Sequence, residues 1–191
     1  LINNPKAMVI DNIQYSRNIF SFRWTNAERE AIGLYEVVFN NTKKKDEEYY
    51  INTNQSFAFA DGTVTASYGD ATAKAHADTL YTADDEDNGL GTEGEVKVEG
   101  LKTKKIRTIK KQAAGELQKT DWYIVRKADA DTAVPSAITN HRAAVRTKCA
   151  QMETAITNAS NTAAIETLYT YTKQEDGSVT RPLGELPRLE V

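Results

Sequence analysis

Residue types and spacing first suggest chemistry at a run of carboxylates, Asp84, Asp85, Glu86 and Asp87, which Asn88-Gly89 brings to an end. Asp84, Glu86, Asn88, Gly89 and Glu95 fall at positions one, three, five, six and twelve of a calcium-binding loop. In that pattern alternate side-chain oxygens wrap a hard cation, a glycine makes the sharp turn and a final glutamate closes the shell. Two features oppose the match: Glu86 is longer than the Asp or Asn wanted at position three, and Gly91 stands where an apolar anchor is expected. The alternative for the same residues is an acidic, solvated linker.

Other catalytic chemistry finds little material. His76 and His141 are the two histidines, and neither has a His or Cys partner at metal-ligand spacing. His141 reads as a hydrogen-bonded surface residue. No Ser or Cys lies in a recognisable nucleophile turn, and the lone Cys149 sits on an apolar helical stripe, so it reads as core. No intrachain disulfide is possible with one cysteine. The carboxylates are scattered, and no pair stands out as general acid and base. Gly89, Gly91 and Gly94 are not followed by the Gly-Lys-Ser/Thr of a phosphate-binding loop. The expectation is a protein that is not an enzyme and needs no cofactor.

Charge narrows the partners. Over 191 residues the net charge is −3, so no overall field draws in nucleic acid or an anionic membrane. Lys102, Lys104, Lys105, Arg107, Lys110 and Lys111 form a local basic stretch able to meet phosphates. No aromatic residues are interleaved there for base stacking, and seven acids between Asp84 and Glu99 directly precede it. A solvated helix face, or a face for an acidic subunit, is the better reading, with no nucleic acid expected. No apolar run approaches the roughly 20 residues needed to cross a bilayer, so no membrane insertion is expected. The opening Leu1–Pro5 lacks the zones of a signal peptide, and a start at Leu1 hints at a trimmed N-terminus.

The elements that must position these groups read as follows. Met8–Ile10 and Ile13–Tyr15 flank Asp11-Asn12, a pair that tolerates positive φ, and form a hairpin. Phe20, Phe22 and Trp24 alternate with polar residues as on a half-buried strand. Thr25 and Glu28 have capping-box spacing for a short helix over Asn26–Ile32, which Gly33 closes. Leu34–Phe39, Tyr49–Asn52, Gln55–Ala60 and Thr63–Tyr68 read as strands, with Asn40–Glu48 an exposed loop and Asp61-Gly62 a hairpin turn. The alanine-rich stretch after Asp70 favours a helix ending near Leu80 and Tyr81.

Ile106, Ile109, Ala113 and Leu117 recur at helical spacing, and so do Ile138, Val145, Cys149, Met152 and Ile156 beyond Pro135, with Ser136 as cap. The two stripes predict an antiparallel helical hairpin, followed by a short third helix capped by Asn161. The expected class is therefore α+β. A small antiparallel β-rich domain covers 1–83, an acidic glycine-rich linker 84–99, the helical hairpin domain 100–169 and an extended tail 170–191. The tail reads as lying on a neighbour or on the sheet.

Within the hairpin, Leu117, Thr120-Asp121-Trp122, Pro135, Arg142 and Arg146 fit a pattern of Leu, Thr-Asp-Trp, a gap, a tyrosine–arginine pair and a second arginine four residues on. In this the chain resembles the C-terminal module of phage tail assembly chaperone-like and tail-fibre-associated proteins of tailed phages. His141 stands where that pattern usually has Tyr. Ile10–Tyr15, Arg17–Phe20 and Ile32–Tyr35 are similar to the start of such proteins, while residues 40–100 are less familiar.

The resemblance implies a structural or adaptor component of the virion tail, made in the host cytoplasm and bound to other tail proteins and to copies of itself. Two alternatives are a fibre assembly chaperone absent from the virion and a receptor-binding module using Tyr49 and Tyr50 as exposed loop aromatics. On physical grounds Trp122 is expected to bury its ring across both helices. Asp121 is expected to accept hydrogen bonds from the backbone or Arg142, and Arg142 and Arg146 to share one helix face.

Overall fold

The structure, a computed structural model, describes residues 6–53 and 55–189 and divides into two compact units, Leu1–Thr72 and Ala73–Val191. Leu1–Pro5, read above for a signal peptide, lies outside the described residues.

The first unit opens with the expected hairpin, β1 (Met8–Ile10) against β2 (Ile13–Tyr15), turned by Asp11 and Asn12 at φ 47° and 65°. A 3₁₀ turn over Arg17–Phe20 follows, and it runs into bends and turns where the alternation of Phe20, Phe22 and Trp24 predicts a strand. The reason lies in its hydrogen bonds: Ser16 caps the turn, and the Arg29 guanidinium takes the carbonyls of Ile19 and Ser21, each at 2.9 Å. Those oxygens are thereby lost to any strand ladder, and Phe22 is left 95% exposed. Helix α1 (Asn26–Glu30) begins with the expected capping box between Thr25 and Glu28, and Gly33 adopts φ 79°.

Three strands then form one sheet in the order β3–β6–β5, with β3 (Val37–Asn40), β5 (Ser56–Ala60) and β6 (Thr63–Ser67). The β5–β6 hairpin is antiparallel and turns on Asp61 (φ 51°) and Gly62 (φ 75°), as predicted. β3 instead pairs parallel to β6, because the chain between Asn40 and Ser56 returns it to the same end of the sheet. The short strand β4 (Tyr50–Ile51) lies in that return. Tyr49 and Tyr50 are buried, at 3% and 5% exposure, so they are core residues and not the exposed loop aromatics a receptor-binding role requires.

β7 (Thr72–Ala73) marks the junction, and the second unit continues with β8 (Thr79–Leu80), α2 (Ala83–Asp87) and β9 (Val96–Val98). Residues 84–99 are thus part of a folded unit and not a free linker. α2 is closed at its start by a Thr82–Asp85 capping box, β9 pairs antiparallel with β8, and Lys97 bridges to Asp85 at 2.6 Å. The stretch predicted as an alanine-rich helix is an extended strap. Its carbonyls are used elsewhere: Ala75 accepts from the Leu101 amide, His76 from the Lys102 amide (both 3.0 Å), and Lys74 from the Thr162 hydroxyl at 2.6 Å. Tertiary hydrogen bonds override alanine's modest helix propensity.

The strap also caps α3 (Leu101–Gln118). Asp78 receives the Gly100 amide at 2.6 Å and the Thr103 hydroxyl at 2.7 Å, placing a carboxylate where the helix dipole is positive. The Thr103 hydroxyl, and then the Gly100 amide, hold its carboxyl below the ordinary value near 3.8. With the folded pKa depressed, the stabilisation is complete above about pH 4 and is lost as the pH falls through the folded value. Asp78→Asn is therefore expected to cost about 1–2 kcal/mol at pH 7. Urea titrations at pH 7 and pH 3 check this, with the difference from the parent shrinking at the lower pH.

α4 (Asp121–Ala130), α5 (Ser136–Asn158) and α6 (Thr162–Tyr169) complete the helices, followed by β10 (Thr172–Lys173) and β11 (Val179–Thr180). The predicted hairpin is present. Ile109 and Ala113 of α3 pack on Val145, Cys149, Met152 and Ile156 of α5. Asn161 caps α6 through the Ala164 amide. Ser136 is the first helical residue rather than the cap, a position taken by Pro135, whose fixed φ of −54° suits the entry. The tail, expected on a neighbour or on the sheet, packs instead on the helical core: Leu183, 2% exposed, joins it, and its amide bonds to the Leu168 carbonyl at 3.0 Å.

Candidate functional site

The residues singled out in the sequence meet where α3, α4 and α5 adjoin. α3 ends at Gln118, and its last carbonyls need partners. Thr120, fully buried, donates its hydroxyl to the Leu117 carbonyl at 2.9 Å and its amide to the same oxygen at 3.1 Å. From α5, Arg142 Nη1 reaches the Leu117 carbonyl (2.7 Å), Thr120 Oγ1 (2.7 Å) and Asp121 Oδ1 (2.8 Å). One guanidinium nitrogen thus shares two N–H bonds among three oxygens. It sits as a cation at the C-terminal end of α3, while Asp121 sits as an anion on the first residue of α4. Each charge has the sign its helix end favours. Arg142 is 8% exposed, which a charge tolerates only with such partners.

Thr120, Asp121 and Arg142 are therefore one constellation, as expected. The other two predicted members are placed differently. Trp122 is 52% exposed and spans no helix pair. Its ring stacks on Tyr123 with centroids 4.2 Å apart, and Arg126, one turn on, lies over it at 4.9 Å. The reason is that α4 is itself a helix inside the predicted connector. With Asp121 turned toward Arg142, the next residue rotates about 100° around the helix axis, away from the core. Arg146 is exposed and stands outside the hydrogen-bond set.

His141 is buried, not a surface residue, and its Nε2 has no hydrogen-bond partner among the described residues. The signal for this lay in the spacing: His141 follows Ile138 by three and precedes Val145 by four, which puts it on the apolar stripe. Cys149 is core, as predicted. Burial, and then its bond to the Glu153 carboxylate at 3.3 Å, push the thiol pKa up, so it is a poor nucleophile.

The calcium candidates do not converge. Asp84 and Glu86 lie on α2, where residues two apart point to nearly opposite sides. Glu86 accepts the Glu93 amide at 2.9 Å, and Asn88 donates to the Asp84 carbonyl at 2.6 Å. Among the described residues no group of three or more His, Cys, Asp and Glu side chains is placed to hold a metal ion.

The basic face of α3 is largely engaged within its own unit. Arg107 pairs with Glu99, Lys110 with Glu153, and Lys102 caps the Thr157 carbonyl. No helix among the described residues is long and apolar enough to cross a membrane.

Separately, the first unit carries an apolar surface that sequence reading missed. Val37, Phe39, Val64, Ala66, Phe57 and Phe59 are in register on one face of the sheet. Phe39, Phe57 and Phe59 are 53%, 49% and 59% exposed, and Tyr35 tilts against Phe59 at 4.6 Å. An open groove of about 860 Å³ runs over this face, bordered by Arg29 and Leu34. The signal was the parallel β3–β6 register, which periodicity along one strand does not reveal. No protein-family model, curated protein or solved structure matches the chain.

Proposed function

We propose that this chain is a non-enzymatic structural adaptor of a bacteriophage tail, associated with fibre or baseplate and working through protein–protein contacts. The observation that carries the proposal is the Thr120–Asp121–Arg142 constellation, built from the residues that carry the resemblance to tail proteins. It fixes the start of α4 and so presents Trp122, with Val125 on the same helix face at 65% exposure, on a rigid support. Aromatic and aliphatic side chains held outward in this way are suited to anchoring a partner, since a few buried aromatic contacts supply most of the affinity of an interface. The partners are other tail proteins, and the protein is made in the host cytoplasm and carried in the virion.

Mass spectrometry of purified particles tests this. The chain is expected in stoichiometric copies with the tail proteins. Its absence from finished particles, together with abundance in the infected-cell lysate, would replace the adaptor with a fibre assembly chaperone. Trp122→Ala is expected to leave stability within about 1 kcal/mol, because the ring is half exposed. The same change should reduce incorporation severalfold by quantitative mass spectrometry.

A further inference from the structure

We propose that β5 is a self-pairing edge, through which two copies of this chain join their three-stranded sheets into one six-stranded sheet. Among the described residues β5 is paired on one side only, by β6, and all five of its residues are exposed. Natural edges are usually blunted by a lysine, a proline or a bulge. β5, Ser56-Phe57-Ala58-Phe59-Ala60, contains neither residue, and its register with β6 is unbroken.

The geometry selects a second copy as the occupant. The two-residue turn Asp61-Gly62 makes Ala60 and Thr63 the closing hydrogen-bonded pair. Alternation along an antiparallel ladder then turns the backbone groups of Ser56, Ala58 and Ala60 toward β6, and those of Phe57 and Phe59 toward the open edge. The sequence is near-palindromic about Ala58. An antiparallel copy centred there sets Phe57 opposite Phe59 of the second copy, and Phe59 opposite its Phe57. Both are hydrogen-bonded pairs using the groups that face outward.

The side chains agree with this register. Phe39, Ala66 and Phe57 are aligned across one sheet, as are Val37, Val64 and Phe59. Each row therefore continues through the axis into the other row of the second copy, giving two apolar lines across six strands. Such a contact is isologous and closes on itself. Charge is compatible, because β5 carries none and Asp61 would lie opposite the uncharged Gln55 of the second copy. The area sets the strength. Four half-exposed phenylalanine rings contribute at most about 400 Å² of apolar surface. A stable interface buries roughly 1,200 Å² or more, so the dimer is reversible, with a dissociation constant between micromolar and millimolar. The inference goes beyond the tail-adaptor reading and is separable from it. Sedimentation needs no particle, and a chain that dimerises in solution can still be missing from purified tails.

Sedimentation velocity of the full chain from micromolar to millimolar concentration is the first measurement, with a monomer–dimer equilibrium expected. Ala58→Lys places two ammonium groups face to face at the axis, and should give a monomer at every concentration with unchanged far-ultraviolet circular dichroism. Ala58→Cys supplies a positive test. Opposed residues of a non-hydrogen-bonded pair have Cα atoms about 4.5 Å apart, within reach of a disulfide. Mild oxidation should give a covalent dimer, while Val38→Cys on the far edge strand β3, also exposed, should not. A wild-type chain that stays monomeric throughout, self-association unaffected by Ala58→Lys, or equal cross-linking of the two cysteine variants would overturn the proposal.

Discussion

Gly100→Ala is expected to destabilise the second unit by about 3 kcal/mol, a large effect for one added methyl group. A Cβ at this position would lie 2.3 Å from the Ala77 carbonyl oxygen and 2.4 Å from its carbon. These are backbone atoms and cannot rotate away as a side chain would. Relief requires that α3 draw back from the strap. Withdrawal breaks the hydrogen bonds from Leu101 to Ala75 and from Lys102 to His76, and pulls the Gly100 amide from Asp78. Three such bonds at about 1 kcal/mol each give the figure.

Conformation is not the cause, since Gly100 has φ −77°, open to any residue. Gly115 in the same helix is the control: beyond its own helix backbone, nothing among the described residues lies within 4 Å of its added Cβ. Gly115→Ala should stabilise by about 0.5–1 kcal/mol through helix propensity alone. Denaturant midpoints of the two variants should move in opposite directions. Hydrogen exchange should accelerate at the Leu101 and Lys102 amides in Gly100→Ala only.

That contact also shows where sequence reading reached and where it stopped. The two apolar stripes predict α3 and α5 because a hairpin core repeats at helical spacing, and the residues on those stripes pack in one core, except Ile138, which is buried outside it. Turns with their own chemistry were equally legible: Asp11-Asn12, Asp61-Gly62, and the Thr25–Glu28 capping box. What failed were segments whose backbone groups are spoken for at long range. Residues 74–78 carry alanines that favour a helix, but their partners are Leu101, Lys102 and Thr162, which no local pattern announces. Residues 20–24 alternate like a strand, but the carbonyls of Ile19 and Ser21 are held by Arg29 from the following helix.

The acidic segment failed differently. Its carboxylates suggest a cation loop, but its Thr82–Asp85 spacing is the better clue to a capped helix. In the candidate site, the Asp121–Arg142 pairing was legible from charge and helix spacing. The outward turn of Trp122 was not, because it follows from α4 beginning at Asp121, and Thr-Asp-Trp alone does not fix that boundary.

Arg142→Met should also cost about 3 kcal/mol, and the way that cost is distributed tells what holds the corner. The Arg142 side chain is 9% exposed and the Asp121 side chain 53%, so the ion pair itself is half in water and contributes little. The Leu117 carbonyl and the Thr120 hydroxyl are the more enclosed partners, and each loses a charged donor when the guanidinium is removed. Double-mutant cycles separate the two contributions. Arg142→Met with Thr120→Ala should show a coupling of about 1.5 kcal/mol or more, whereas Arg142→Met with Asp121→Asn should show less than about 1 kcal/mol. Equal couplings, or a larger one to Asp121, would mean that the corner is an ion pair after all. Arg142→Lys keeps the charge but loses the planar fork on its longer stem, so it should recover less than half of the loss. The functional consequence runs through α4. With Arg142 gone, the Leu117 carbonyl and Thr120 hydroxyl lose the guanidinium that ties the α3–α4 corner to α5, the first turn of α4 is free to fray, and Trp122 loses its fixed orientation. On the tail-adaptor proposal, an Arg142→Met chain that still folds should therefore be incorporated into particles as poorly as Trp122→Ala, although Arg142 itself is buried.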